Sequence, residues 1–365
     1  MGPYRKSRIE PIVEPRVARG RATRPRCRAL AQRFVVGAAV AAAVCTGGPV
    51  EAAHEDGRVL IFAPPFVGAD AIWMALTQKF FREEKLAVTV KWVASGRDAL
   101  RAFDDGQNGK QRPGFVVVNE ILALNFWQGG DRDFTVIAPL ARDAEAYVVV
   151  AKAEVTSAEG LKTKRIATTL GSTSAWFLGE FLRAHGHGER DISVKDGPPN
   201  AILGWYPDQS DIAAFFVREP QATLAGQKYG DKVRRLTTAT GYAHGYLLLG
   251  TSKRYAREHP GVAERILRAL DRGRRHAADH RDEVIAFARE MFGKDTTSVE
   301  ADYRSMERLI GIDRVTLDDF RKLGRWMKEA GLLEATVEPT ALFDPEPLRA
   351  TFPERIVDDA GRWSQ

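Results

Sequence analysis

The sequence predicts an α/β protein of two lobes with a helical C-terminal part. Three patterns carry this. Short apolar runs alternate with amphipathic helical stretches from Val59 to Ala138. The same alternation restarts at Arg165 and runs to about residue 236, after an extended segment, YVVVA, at 147–151. A second extended segment, GYLLLG at 245–250, then gives way to almost continuous helical periodicity from Ser252 to Ala335. Strands that alternate with helices form a parallel or mixed sheet covered by the helices between them.

The elements follow in order. Val59–Ala63 (VLIFA) is a buried strand that ends at Pro64-Pro65. Ala69–Glu84 carries Ile72, Leu76, Phe80 and Phe81 at helical spacing. Ala87–Val93 alternates Val88, Val90 and Trp92 with polar residues, so one face of that strand is wet. Asp98–Asp105 is a short helix, Phe115–Val118 a buried strand, Ile121–Trp127 a helix and Thr135–Ala138 a strand. In the second lobe, RIAT at 165–168, ISV at 192–194, IAAFF at 212–216 and VRRL at 233–236 are strands. Helices follow Ser174, Pro199 and Pro220. Residues 340–365 read as a tail lying on the body. No internal sequence repeat is visible.

The net charge of +6 over 365 residues is unevenly placed. Residues 1–52 hold ten Lys or Arg against three Glu, and the remaining residues hold 44 basic against 45 acidic. A nearly neutral body carries no nucleic-acid footprint. Residues 1–52 have the form of an export signal: a basic stretch to Arg33, the apolar run FVVGAAVAAAV at 34–44, and Val50-Glu51-Ala52 before a start near Ala53. Both cysteines, Cys27 and Cys45, lie there, so the body offers no disulfide, thiolate metal site or cysteine nucleophile. Cys45 is a poor lipid-anchor cysteine, because the bulky Val44 precedes it.

Gly171-Ser172-Thr173-Ser174 lies between the RIAT strand and a helix bearing Trp176, Phe177, Phe181 and Leu182. A glycine turn into a hydroxyl-rich helix start is either a plain N-cap or an anion seat made of free amides and the positive helix end.

Four strings, in order, resemble one family. FFREEKLAV at 80–88, GSTSAWFLGEFLRAHG at 171–186, SDIAAFFVREP at 210–220 and TSKRYAREHPGVAERILRAL at 251–270 are similar to segments of the periplasmic solute-binding proteins of ABC importers. The similarity is to the branch for sulfonates, taurine, nitrate and thiamine-pyrimidine precursors, and covers roughly residues 58–285. It implies a type II-like, two-lobe periplasmic-binding-protein fold with two crossing segments. Lobe I would be 53–148 with 246–365, and lobe II 149–245, hinged near 146–151 and 245–250. It also implies a monomeric periplasmic receptor without a cofactor. That receptor would pass a small organic anion or zwitterion to an ABC permease in the inner membrane and catalyse no reaction. The alternatives are a receptor for a thiamine-pyrimidine-type amino-heterocycle, and a synthase-like enzyme of the same fold. A receptor that presents its ligand to a sensor is a third. Asn119-Glu120 departs from the family's small pair after the third strand, and the Tyr206–Ser210 segment departs from its usual turn.

Ligands of open α/β sheets lie at the carboxyl ends of strands, and that rule selects the candidates. Gly171, Ser172, Thr173 and Ser174 form the anion seat. Phe66 and Trp73 are candidate walls, and a core aromatic is the competing reading, favoured for Trp73. Asn119 can donate and accept, whereas Glu120 either faces the ligand or caps its helix. Arg142 can reach an anion. Glu219, before Pro220, either caps a helix or meets a cationic group, and Tyr242 and His244 can close the pocket. His276, His280 and Glu283 have zinc-compatible spacing, but the charged string RGRRHAADHRDE around them reads as a solvated face. His185 and His187 read as a helix end. No nucleophile elbow or phosphate loop is present.

Overall fold

The computed structural model describes residues 58–107, 114–128, 132–205 and 211–357. The expected export signal, its two cysteines and the Tyr206–Ser210 segment lie outside the described residues.

The chain begins with β1 (Arg58–Ala63), α1 (Asp70–Thr77), α2 (Phe80–Glu83), β2 (Ala87–Trp92), α3 (Gly96–Gln107), β3 (Phe115–Asn119), α4 (Glu120–Trp127) and β4 (Thr135–Asp143). It crosses to a second lobe with β5 (Tyr147–Lys152), β6 (Arg165–Thr168), α5 (Thr173–Ala184), β7 (Ser193–Asp196), α6 (Pro199–Gly204), β8 (Ile212–Arg218), α7 (Gln221–Tyr229) and β9 (Val233–Thr238). It returns as β10 (Gly245–Thr251). The C-terminal part follows: α8 (Lys253–Glu258), α9 (Pro260–Asp279), α10 (Arg281–Phe292), α11 (Thr296–Ser305), β11 (Met306–Arg308), α12 (Arg314–Glu329), α13 (Pro339–Leu342) and α14 (Glu346–Thr351).

The first sheet has the order β11-β4-β10-β3-β1-β2 and the second β7-β6-β8-β5-β9. In each, two parallel pairs are followed by one antiparallel strand and a further strand beyond it, and the first sheet adds β11 at its edge. The antiparallel strand, β10 or β5, is the one that arrives directly from the other lobe. The two lobes therefore repeat one topology that their sequences do not show as a repeat.

Three expectations are corrected. The extended segments at 147–151 and 245–250 are not free crossings, because the ladders of β5 and β10 tie each into its own sheet. The crossings are the residues just before them, 144–146 and 239–244. The helical run after Ser252 is interrupted by β11, which pairs with β4 at the sheet edge. Residues 339–357 include two short helices, α13 and α14, with Leu342 and Leu348 fully buried.

The core of the first lobe forms where apolar faces meet. α9 lays Val262, Ile266, Leu267 and Leu270 inward. Trp73 of α1 is 0% exposed and stacks on Phe287 at 5.3 Å between ring centroids. α1 and α9 cross at Gly273, where a Cβ would stand 2.1 Å from the Ala71 carbonyl oxygen.

Candidate functional site

A cavity of about 210 Å³ lies where the lobes meet. Phe66, Val67 and Gly68 reach it from the loop after β1, Asn119 from the end of β3, and Ala141, Arg142 and Asp143 from the end of β4. The second lobe contributes Tyr147 and Arg218. Gly245, Tyr246 and Leu247 at the start of β10, with Asp302 and Met306, complete the wall. The carboxyl ends of β1, β3, β4 and β8 thus converge, as the strand-end rule requires.

Local chemistry explains each placement. Pro64-Pro65 ends β1 and turns Phe66 outward, 44% exposed at the cavity mouth. Asn119 is the N-cap of α4, its side chain accepting from the Leu122 amide at 2.9 Å. Gly68 is a close-approach glycine, since a Cβ there would sit 2.8 Å from Met306 Sδ. Tyr147 lies so close over Gly245 that a Cβ on that residue would overlap its ring.

The polar groups form two arginine–carboxylate sets. Arg218 donates to Asp302 Oδ1 at 2.7 Å and to Asp143 Oδ2 at 3.1 Å. Asp143 also accepts from the Ala146 amide at 3.0 Å and from Ser305 Oγ at 3.2 Å. Burial raises the Asp143 carboxyl above its ordinary range, against the pull of Arg218. Arg142 makes a fork to Glu307 at 2.6 and 2.8 Å and donates to Asp313 at 2.6 Å. Two arginines thus face four carboxylates, and neither cation lacks a partner. Burial also raises the Tyr147 phenol.

Segment 302–313 is anchored at a third point, where Arg308 pairs with the buried Asp70 at 2.7 Å. Burial lifts Asp70 to about 6 despite Arg308.

Phe66, Asn119 and Arg142 of the sequence candidates come together at the cavity. Gly171, Ser172, Thr173 and Ser174 do not line it. Gly171 takes φ +68 to enter the helix, and Ser172 is the N-cap of α5. The Thr173 hydroxyl donates at 2.5 Å to Glu120 Oε1, whose other oxygen accepts from the Tyr246 amide at 2.8 Å. The helix start that sequence reading offers to an external anion meets a carboxylate of the chain itself. Glu120 is 0% exposed, and this bond ties α4 of one lobe to α5 of the other.

Four candidates are corrected. Trp73 is a core residue, because α10 supplies Phe287 and Phe292 to cover it. Glu219 accepts from the Thr223 amide at 2.9 Å and pairs with Arg235 at 2.6 Å, so it caps α7. His244 pairs with Asp319 at 2.7 Å. Tyr242 packs among Phe177, Phe181 and His185 and faces a different depression. Sequence reading missed Arg218, Asp143, Tyr147, Asp302 and Met306. Arg218 and Asp143 end β8 and β4, so the strand-end rule could have found both.

Burial lifts the Glu120 carboxyl from 4.5 to about 7 against the hydrogen bonds from Thr173 and Tyr246. Between those values Glu120 holds a proton in the folded chain that it releases in the unfolded one, so its contribution to stability falls as pH rises from 4.5 through 7. The ionised form costs on the order of 3 kcal/mol, at 1.36 kcal/mol per pKa unit. Denaturant unfolding of wild type and Glu120→Gln across about pH 4.5 to 8 checks this. Their difference in unfolding free energy is expected to shift against wild type as pH rises. A flat difference would refute the assignment.

The two sheets and the cavity between them give a two-lobed α/β fold of the periplasmic-binding-protein type. The NMT1/THI5-like family pattern matches residues 70–284, more than half the chain, and the chain belongs to that family. Solved structures agree on the fold. The periplasmic aliphatic sulphonate binding protein SsuA from Escherichia coli superposes with a TM-score of 0.66 at 16% identity, covering 78% of this chain and 97% of that one. A putative sulfonate ABC transporter protein, SsuA from Methylobacillus flagellatus, gives 0.67 at 12% identity, covering 81% and 94%. DSZB in complex with biphenyl-2-sulfinic acid, a desulfurization enzyme, gives 0.60 at 15%, covering 82% and 99%. No curated protein matches the sequence significantly. No described helix is long and apolar enough to cross a membrane.

Proposed function

We propose that this protein is the substrate-binding component of an ABC importer, exported to the periplasm, and that it closes on a small organic zwitterion. The observation that carries the reading is Arg218, set between Asp143 and Asp302 at the edge of a cavity of about 210 Å³. An anionic group suits the arginine, and an ammonium or amino group suits the aspartates it leaves. A ligand with only negative charge gains Arg218 but meets two carboxylates it cannot satisfy. Phe66 and Met306 supply apolar surface beside the charges, the usual composition of a small-molecule site. Family membership and the crossings at 144–146 and 239–244 support a receptor whose lobes move about those crossings. Its partner in this reading is a membrane permease, and it works as a monomer.

The test is a thermal-shift screen followed by calorimetry, using an aminoalkanesulfonate, the same sulfonate without its amine, nitrate and an aminopyrimidine. The aminosulfonate is expected to raise the unfolding midpoint most, through preferential binding to the folded state. Equal binding of the amine-free sulfonate would remove the zwitterion assignment. Selective binding of the aminopyrimidine would favour the amino-heterocycle reading.

A further inference from the structure

We infer that His276, His280 and Glu283 form a binding site for a divalent transition cation, with zinc the best fit. One candidate ligand atom from each side chain lies within 4.8 Å of the others, at the junction of α9 and α10. The cavity between the lobes is lined by none of them.

Local structure assembles the set. His276 and His280 are one turn apart at the end of α9, so their rings share a face. The rings lie parallel, 3.8 Å between centroids. At His280 the backbone leaves the helix, with φ −126 and ψ 60, and α10 begins at once. That break brings Glu283 back over the last turn of α9, where its Oε2 stands 2.9 Å from His276 Nε2.

The surroundings prepare the ligand atoms. His280 Nδ1 lies 3.0 Å from the His276 carbonyl, which can only accept, so Nδ1 carries the proton and Nε2 keeps its lone pair for a metal. Gln78, which caps the end of α1, donates to Glu283 Oε2 at 2.9 Å and holds that carboxylate in place. The Phe80 ring meets His276 edge-on at 6.2 Å. Neighbouring cations are already paired: Arg272 with Glu83, Arg275 with Asp271 and Arg281 with Glu300. Two imidazoles and one carboxylate are the ligand types zinc takes, with water in the fourth position. Tetrahedral coordination at about 2.0–2.1 Å sets ligand atoms roughly 3.3 Å apart, so closure from separations of up to 4.8 Å needs shifts of roughly 1.5 Å and a tilt of the parallel rings that makes their lone pairs converge. Zinc at His276 Nε2 takes the place of the proton that Nε2 shares with Glu283, and that proton passes to Nδ1 or to solvent.

The experiment titrates the chelator-stripped full chain with zinc by calorimetry and follows cobalt substitution by visible absorbance. One equivalent is expected to bind, with a tetrahedral cobalt spectrum. The His276→Ala/His280→Ala double variant is expected to lose that equivalent. Gln78→Ala is expected to weaken it about tenfold, the low end for a residue that orients a metal ligand. Circular dichroism shows whether the double variant is folded, and His280→Gln serves if it is not. Undiminished zinc binding in folded double variant or His280→Gln, including binding through Cys27 and Cys45, overturns the site. So does absence of a stoichiometric wild-type complex.

Discussion

Arg218→Ala is expected to weaken binding of a zwitterionic ligand at least thirtyfold while leaving a folded protein. The guanidinium is the cavity's link between the lobes, holding Asp143 of the first and Asp302 of the C-terminal part. Truncating one partner of a desolvated charge pair typically costs about 2–5 kcal/mol in affinity, much of it from the charge left behind. Here Asp143, at 5% exposure, would be left with amide and hydroxyl donors alone. Stability should fall too, by about 2 kcal/mol, below the usual range for a buried pair because the Arg218 side chain is 31% exposed. Arg218→Lys separates the effects: it keeps the charge but not the two-pronged geometry, so stability should recover more than affinity. Calorimetric titration and urea unfolding of both variants provide the check. Unchanged affinity in Arg218→Ala would show that this arginine does not face the ligand.

The largest effect on stability is expected from Gly273→Ala. Alanine is ordinarily about 1 kcal/mol better than glycine inside a helix. At this crossing its Cβ would enter the backbone of α1, 2.1 Å from Ala71 O and 3.0 Å from Ala75 N. Backbone cannot rotate aside as a side chain does, so the helices must part. That opens the contact around Ile266, Leu270 and Trp73, and overpacking of this kind costs about 3 kcal/mol. Gly261→Ala on the same helix is the control. Nothing lies within 4 Å of its Cβ, so it should be neutral or slightly stabilising. Opposite signs for the two substitutions, read from urea midpoints, are the expected outcome. A neutral Gly273→Ala would contradict this crossing.

Period and punctuation made the strands and helices legible. VLIFA before Pro64-Pro65 and FVVV before Asn119 mark two strands that end at the cavity. Ser172 as an N-cap was equally readable. Partners remote in sequence were not. Glu120 meets Thr173 across 53 positions, and nothing local to either residue shows it. Glu219 precedes Pro220, a position that suits a cap or a ligand contact, yet it is Arg218, one residue earlier, that reaches the cavity. A one-residue step along a strand exchanges its two faces, and the apolar run before Arg218 gives no alternation to fix the phase. β11 is three residues long among helical periodicities, too short to signal itself. Segment 302–313, which β11 belongs to, brings Asp302 and Met306 to the cavity from outside the stretch that matches the family.

The shared strand order has a consequence for how the chain can be cut. Gly245 pairs in register with Asp143, so the chain leaves the first sheet and re-enters it at neighbouring points. Val148 pairs likewise with Thr238 at the two ends of the second lobe's stretch. Each pair is an antiparallel ladder whose adjoining ends a two-residue turn could close. The second lobe is thus a cassette set into a hairpin of the first. Removing it and joining 143 to 245 through a two-residue turn would restore an ordinary hairpin rather than leave a gap.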